Sequence, residues 1–183
     1  MQRGELMIIN VDKLRGKEID KIDLNFCEEI DTISYCDEKY KLASPIEVAG
    51  KITRNGKELY INSDIKMTVV DRCSRCLEEV EIPLDFNIQG FIVQENEYSE
   101  DEYEEFDAFI VEDYENVNLL DIIAQNLEFN MPHKVLCGED CKGLCPGCGA
   151  NLNKEDCRCS EKINDEDNID PRFAKLKELL KNE

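Results

Sequence analysis

Six cysteines crowded into 23 residues constrain this chain more than any other feature. The stretch runs C-G-E-D-C-K-G-L-C-P-G-C-G-A-N-L-N-K-E-D-C-R-C, from Cys137 to Cys159. Two further cysteines, Cys73 and Cys76, stand far upstream in C-S-R-C. The eight form four close pairs: 73/76, 137/141, 145/148 and 157/159. A pair spaced by one to three residues can bend around one metal ion, and a second pair must then arrive from another loop. Zinc held tetrahedrally by four thiolates is the usual outcome. Cys145-Pro-Gly-Cys148-Gly149 has the form of a zinc knuckle, and Cys157-Arg-Cys159 returns eight residues later. Those four can close one site alone. Cys73, Cys76, Cys137 and Cys141 are left as a second site, which would fasten two distant parts of the chain together. The spacing also admits a single site built from Cys141, Cys145, Cys148 and either Cys157 or Cys159. Cys73 and Cys76 would then be a free C-x-x-C with redox capacity. An iron–sulfur cluster uses the same ligands. All-cysteine zinc sites are closed and structural, so the expected role of the metal is rigidity rather than catalysis.

Alternation with a period of two fills residues 46–92. Ile46, Val48 and Ile52 alternate with Glu47, Ala49 and Lys51, and Asn55-Gly56 marks a hairpin turn. The apolar set resumes at Leu59, Ile61, Ile65, Met67 and Val69, and again after C-S-R-C at Val80, Ile82, Leu84, Phe86 and Ile88. Such runs predict long antiparallel strands with one buried face. They place C-S-R-C in the connection between two neighbouring strands. Residues 5–11 read as a first strand and 22–26 as a second. Cys27 and Cys36 lack ligand spacing and read as small, buried or half-buried cysteines.

Residues 94–115 form an acidic connector, expected as a solvated loop, with Tyr98, Tyr103, Phe106 and Tyr114 interleaved and a short strand at 109–111. Residues 118–130 fit a helix capped by Asn118 with Asp121 in its first turn, and with Leu119, Ile122, Ile123 and Leu127 on one side. Asp170-Pro171 opens a short amphipathic helix carrying Phe173, Leu176, Leu179 and Leu180. The fold expected is therefore α+β. It comprises a mainly antiparallel β domain with one central helix over 1–135, a zinc-binding module over 136–160, and an acidic linker with a C-terminal helix over 161–183.

The net charge is −20, and no Lys or Arg occurs between Cys76 and His133. A surface of that sign repels a nucleic-acid backbone and attracts basic partners. With His133 the only histidine, there is almost no material for a Ser-His-Asp or Cys-His site, and no enzyme activity is expected. As a metal ligand, His133 is an inferior candidate to the cysteines. No stretch approaches the length of a membrane span or a leader, so a cytoplasmic protein without a membrane or small-molecule partner is expected. In that compartment clustered cysteines bind metal rather than form disulfides.

C-S-R-C-L at 73–77, D-C-K-G-L-C-P-G-C-G-A-N-L-N at 140–153 with C-x-C after it, and D-P-R-F-A-K-L at 170–176 together resemble the YceD family of large ribosomal RNA subunit accumulation proteins. The likeness is to the Firmicutes-type form and covers nearly the whole chain. It implies a cytosolic, non-enzymatic ribosome-biogenesis factor that supports accumulation of large-subunit (23S) ribosomal RNA. Two mechanisms are open to such a factor. Its acidic surface can hold a basic ribosomal protein or processing factor. Alternatively, cations beside the metal loops (Arg72, Arg75, Lys134, Lys142, Lys154 and Arg158) can contact ribosomal RNA directly.

Overall fold

The computed structural model describes residues 7–35, 38–56, 58–98, 108–157 and 159. They fall into two compact units. One is built from the chain up to Asp71 and from Glu79 to Val135; the other from Arg72–Glu78 and the chain from Leu136 onward. The C-terminal helix expected near 170–180, and Cys36, lie outside the described residues.

In the first unit the chain order is β1 (Ile8–Ile9), α1 (Asp12–Arg15), β2 (Lys21–Glu28), β3 (Thr32–Tyr35), β4 (Glu38–Leu42), β5 (Ile46–Asn55), β6 (Glu58–Arg72), β7 (Glu79–Gln94), β8 (Ala108–Val111), β9 (Val117–Asn118) and α2 (Leu119–Asn130). A main sheet runs β2-β5-β6-β4-β3, with β7 beside β6 and β8 beside β7. The long alternating runs become β5, β6 and β7, as their period requires. In β5–β6 the register sets Ile52 opposite Ile61 and Val48 opposite Ile65, so the apolar residues share one face. These side chains, with Leu24, Leu84, Phe86 and Ile88, form one core together with Leu119, Ile122, Ile123 and Leu127 of α2. Ser63 is the buried polar residue on that inner face, directly opposite Gly50.

Several expectations need correction. The first strand shrinks to Ile8–Ile9 among the described residues and pairs with β9, and the four-residue helix α1 follows it. Among the described residues of this unit, α1 is thus a helix beyond the one central helix expected. The region from 29 to 45 holds two strands, β3 and β4, that the alternation did not announce. The hairpin turn slips by one residue: Asn55 pairs with Glu58, so Asn55 belongs to the strand and Gly56, at φ 70°, opens the loop. Only residues free to adopt positive φ suit that place, and glycine does so without a Cβ penalty. Cys27 is exposed rather than buried. It falls on the outer side of the edge strand β2, opposite Glu47.

The described ends of the acidic connector are paired, not loose. β8 joins β7 in parallel, with Ile92 opposite Phe109. Tyr114 is buried, its hydroxyl accepting from the Gln94 N–H at 3.0 Å and donating to Glu97 at 2.9 Å. Arg15 lies over the Tyr114 ring and also pairs with Glu97. Burial first, then the neighbouring Glu97, raises the Tyr114 pKa, although the Gln94 amide opposes this.

α2 starts where its sequence says it should. The Asn118 side chain accepts from Leu120 N–H at 3.1 Å, and its amide donates to Asp121 at 3.0 Å. Capping satisfies an N–H that has no partner within the helix. Asn118→Ala is expected to lower stability by about 1 kcal/mol, read as a lower urea midpoint at unchanged m-value.

Candidate metal centres

The second unit is assembled from two pieces of chain. The first is the connection from β6 to β7. There Cys73 N–H donates to Glu78 O at 2.8 Å and Leu77 N–H to Cys73 O at 2.9 Å, folding C-S-R-C into a tight loop. The second piece follows α2. Its knuckle closes through Gly149 N–H to Cys145 O at 2.8 Å and Cys145 N–H to Ala150 O at 2.8 Å. Arg75 binds the pieces together: its Nη1 donates to Cys141 O at 2.9 Å and to Glu139 O at 3.3 Å, and its own carbonyl accepts from Leu144 N–H at 3.1 Å. Lys154 adds an ion pair to Glu78 at 2.8 Å, and Asn151 a hydrogen bond to the same carboxylate at 3.2 Å. Lys154 first of all, then Asn151, holds the Glu78 carboxyl below its usual range.

This framework brings eight sulfurs into two groups. Cys73, Cys76, Cys137 and Cys141 have their sulfurs within 4.8 Å of one another, and so do Cys145, Cys148, Cys157 and Cys159. Each group can hold a metal ion. Tetrahedral zinc, with Zn–S about 2.3 Å, separates its sulfurs by about 3.8 Å. In the first group Cys73 and Cys141 are 3.8 Å apart and Cys76 and Cys137 3.5 Å. In the second, Cys157 lies 3.3 Å from both Cys148 and Cys145. The sulfur sets therefore fit a four-coordinate ion, the second slightly contracted. Cys141 and Cys145 belong to different groups, unlike in the single-site alternative.

Electrostatics also suits a cation. Burial opposes a Cys73 thiolate, but the backbone N–H groups of Arg75, Cys137 and Cys76 outweigh it and hold the thiol down at about 6. In the second group the N–H groups of Cys148 and Gly147 bring Cys145 to about 7. Cys141 is also held down, first by its hydrogen bond from Asn153, but Cys137 and Cys157 cannot follow, because each added negative charge meets those already present. Cys137 is pushed up to about 12 by its hydrogen bonds to Cys141 and then Cys76. Cys157, although helped by the Cys159 N–H, is likewise pushed up to about 12 by Cys159, Cys145 and Cys148. A divalent ion removes that conflict by neutralising the cluster from within.

The two groups differ in shelter. Cys73, Cys76 and Cys141 are buried and Cys137 is exposed, whereas in the second group only Cys145 is buried. Spacing did not single out Asn153, yet its amide donates to Cys141 Sγ at 3.3 Å while its Oδ1 accepts from Lys142 N–H at 2.8 Å. Nothing in the run A-N-L-N distinguishes it beforehand from Asn151. His133 is exposed and joins neither group. Among the cations considered for RNA, Arg75 and Lys154 are engaged as described above, Arg72 and Lys142 are exposed, and Arg158 lies outside the described residues. No helix among the described residues is long and apolar enough to cross a membrane.

The family model described as "Large ribosomal RNA subunit accumulation protein YceD" matches residues 61–180. An uncharacterized protein of Mycobacterium tuberculosis is 29% identical over 120 residues, which cover 66% of this chain and 55% of that protein. The uncharacterized protein YlbN of Bacillus subtilis is 24% identical over 154 residues, 84% of either chain. An Arabidopsis thaliana protein named large ribosomal RNA subunit accumulation protein YCED homolog 1, chloroplastic, is 25% identical over 153 residues, 69% of this chain and 47% of that one. The chain thus spans about half the length of the mycobacterial and plant relatives. No solved structure matches it.

Proposed function

Because the chain belongs to the YceD family of large ribosomal RNA subunit accumulation proteins, we propose that it is a non-enzymatic, cytoplasmic ribosome-biogenesis factor. In this reading it supports accumulation or processing of 23S ribosomal RNA by holding a basic ribosomal protein or processing factor. Two zinc ions, one in each cysteine group, give the second unit its shape.

Charge distribution carries the choice of partner. The whole chain has a net charge of −20, and no Lys or Arg interrupts residues 77–132. Glu79, Glu81, Glu95, Glu112 and Glu115 within that span are exposed. A basic protein meets there a field that steers association and weakens with salt. Direct RNA contact draws less support, since Arg75 and Lys154 are already committed to holding the metal loops.

The test uses the intact, metal-loaded chain as bait for the total protein of large ribosomal subunits stripped of RNA. Capture of one or a few basic proteins at low salt, released at moderate salt, is expected. Failure to retain any ribosomal protein at low salt, with ribosomal RNA fragments bound when these are supplied in a separate arm, would sink the proposal in favour of the RNA-binding alternative.

A further inference from the structure

The two C-x-x-C loops are built alike, and one residue breaks the likeness. In each, the residue after the second cysteine donates its N–H to the carbonyl of the first: Leu77 to Cys73 at 2.9 Å and Gly149 to Cys145 at 2.8 Å. In each, that residue takes positive φ, 63° at Leu77 and 75° at Gly149. Glycine at 149 answers to the backbone alone, because a Cβ there would meet nothing within 4 Å. Leucine at 77 accepts the same left-handed conformation against the preference of every L-residue with a Cβ. Packing does not repay it, for the Leu77 residue is 57% exposed. The other non-glycine at positive φ among the described residues is Lys17, an exposed residue whose ammonium is hydrated, whereas leucine offers water only hydrocarbon.

A solitary exposed leucine carries no message by itself. A leucine held in a strained conformation, displayed to solvent, where the sister loop uses glycine, does carry one, because strain persists where function needs it. We propose that Leu77 is an apolar anchor for a protein partner, presented on a loop that the first metal centre holds rigid. The partner is a basic protein with an apolar recess that receives this side chain. Its basic character follows from the −20 charge of the chain, and in that respect the inference rests on the function proposed above. Arg72 and Arg75 beside the anchor in sequence would repel such a partner if they stood free. Arg75 is instead spent on the carbonyls of Glu139 and Cys141.

Leu77→Gly separates an anchor from a structural residue. Glycine suits φ 63°, so the variant is expected to retain its full metal content and to unfold at the same or a higher urea concentration. Its apparent affinity for the protein captured by the wild-type chain from stripped large subunits is expected to fall about tenfold or more. Leu77→Met, which keeps an apolar side chain, is expected to bind within about threefold of wild type. Equal binding by wild type and Leu77→Gly would overturn the inference and leave the proposed function standing. A lower unfolding midpoint or lost metal in Leu77→Gly would also overturn it, by showing that the leucine serves the fold. If the wild-type chain captures no ribosomal protein, or only ribosomal RNA, both the function and the inference fall.

Discussion

Stripping metal from the chain is expected to unfold residues 72–78 and 136–159 and to leave the β unit folded. The described core cluster draws every member from the first unit, and none from these two segments. Among the described residues, what holds the second unit is therefore eight sulfurs, a handful of backbone hydrogen bonds and the Arg75, Glu78 and Asn153 contacts. Exposed pairs of the Glu78–Lys154 kind are worth only about 0–1 kcal/mol. Structural zinc supplies about 10–16 kcal/mol in zinc-finger peptides, so its removal exceeds anything those contacts can offset. Metal analysis should give two ions per chain, falling to one in Cys141→Ser and one in Cys148→Ser. Amide exchange after chelation should rise throughout 136–157 and stay slow in β5 and β6. Retained protection of 136–157 in a chelated, metal-free chain would refute this account, as would a stoichiometry of one in the wild-type chain.

Gly50→Ala should be the most damaging single-methyl addition in the β unit. Gly50 lies opposite Ser63 across β5–β6 and opposite Leu24 across β2–β5. A Cβ added there would run into Asn62 O and the Cα and Cβ of Ser63. Two of these three atoms are backbone, so no rotamer change relieves the overlap; the strands must separate. Overpacking of a core ordinarily costs about 1–3 kcal/mol and more where the neighbours cannot yield. We expect a loss of at least about 3 kcal/mol by urea denaturation. Ala49→Ser, one residue away on the exposed side, should change stability by no more than about 0.5 kcal/mol. A Gly50→Ala chain as stable as the wild type would show that β5 and β6 are not in this register.

How much of this could be read beforehand differs by element, for physical reasons. β5, β6 and β7 were legible because each buries one face over many residues, leaving a long period-two record, broken only locally, as at residues 90–93 of β7. β3 and β4 left no such record: Thr32–Tyr35 and Glu38–Leu42 are four and five residues long, and each buries one residue, Ile33 and Leu42. α1 is four residues long and buries Leu14, too little for any helical period to show. Asn118 and Asp121 announced the start of α2 because capping chemistry is local. By contrast, the pairing of Tyr114 with Gln94 and Glu97 depends on chain segments that meet only in the folded state. The grouping of the cysteines could be worked out by pairing arithmetic, since four close pairs admit few closed sites. The roles of Arg75 and Asn153 could not, because both act by reaching backbone or sulfur atoms on another loop. The positive φ of Leu77 had no sequence signal at all: leucine is among the last residues one would place there.

The two cysteine groups are completed at different times while the chain is made. Cys76 precedes its cluster mate Cys137 by 61 residues, and Cys73 precedes Cys141 by 68. At a synthesis rate on the order of 5–20 residues per second, the first half of that centre waits about 3–12 s for the second. During that interval β7, β8 and α2 are still emerging, and two thiols lie at the end of β6 without their partners. The other group spans Cys145 to Cys159 and is complete almost as soon as it begins. The nascent chain thus closes its short-range centre within moments and its long-range centre only after the intervening sheet and helix have been translated. Metal ions occupying both groups would therefore be taken up in two steps, at separate moments of the chain's birth.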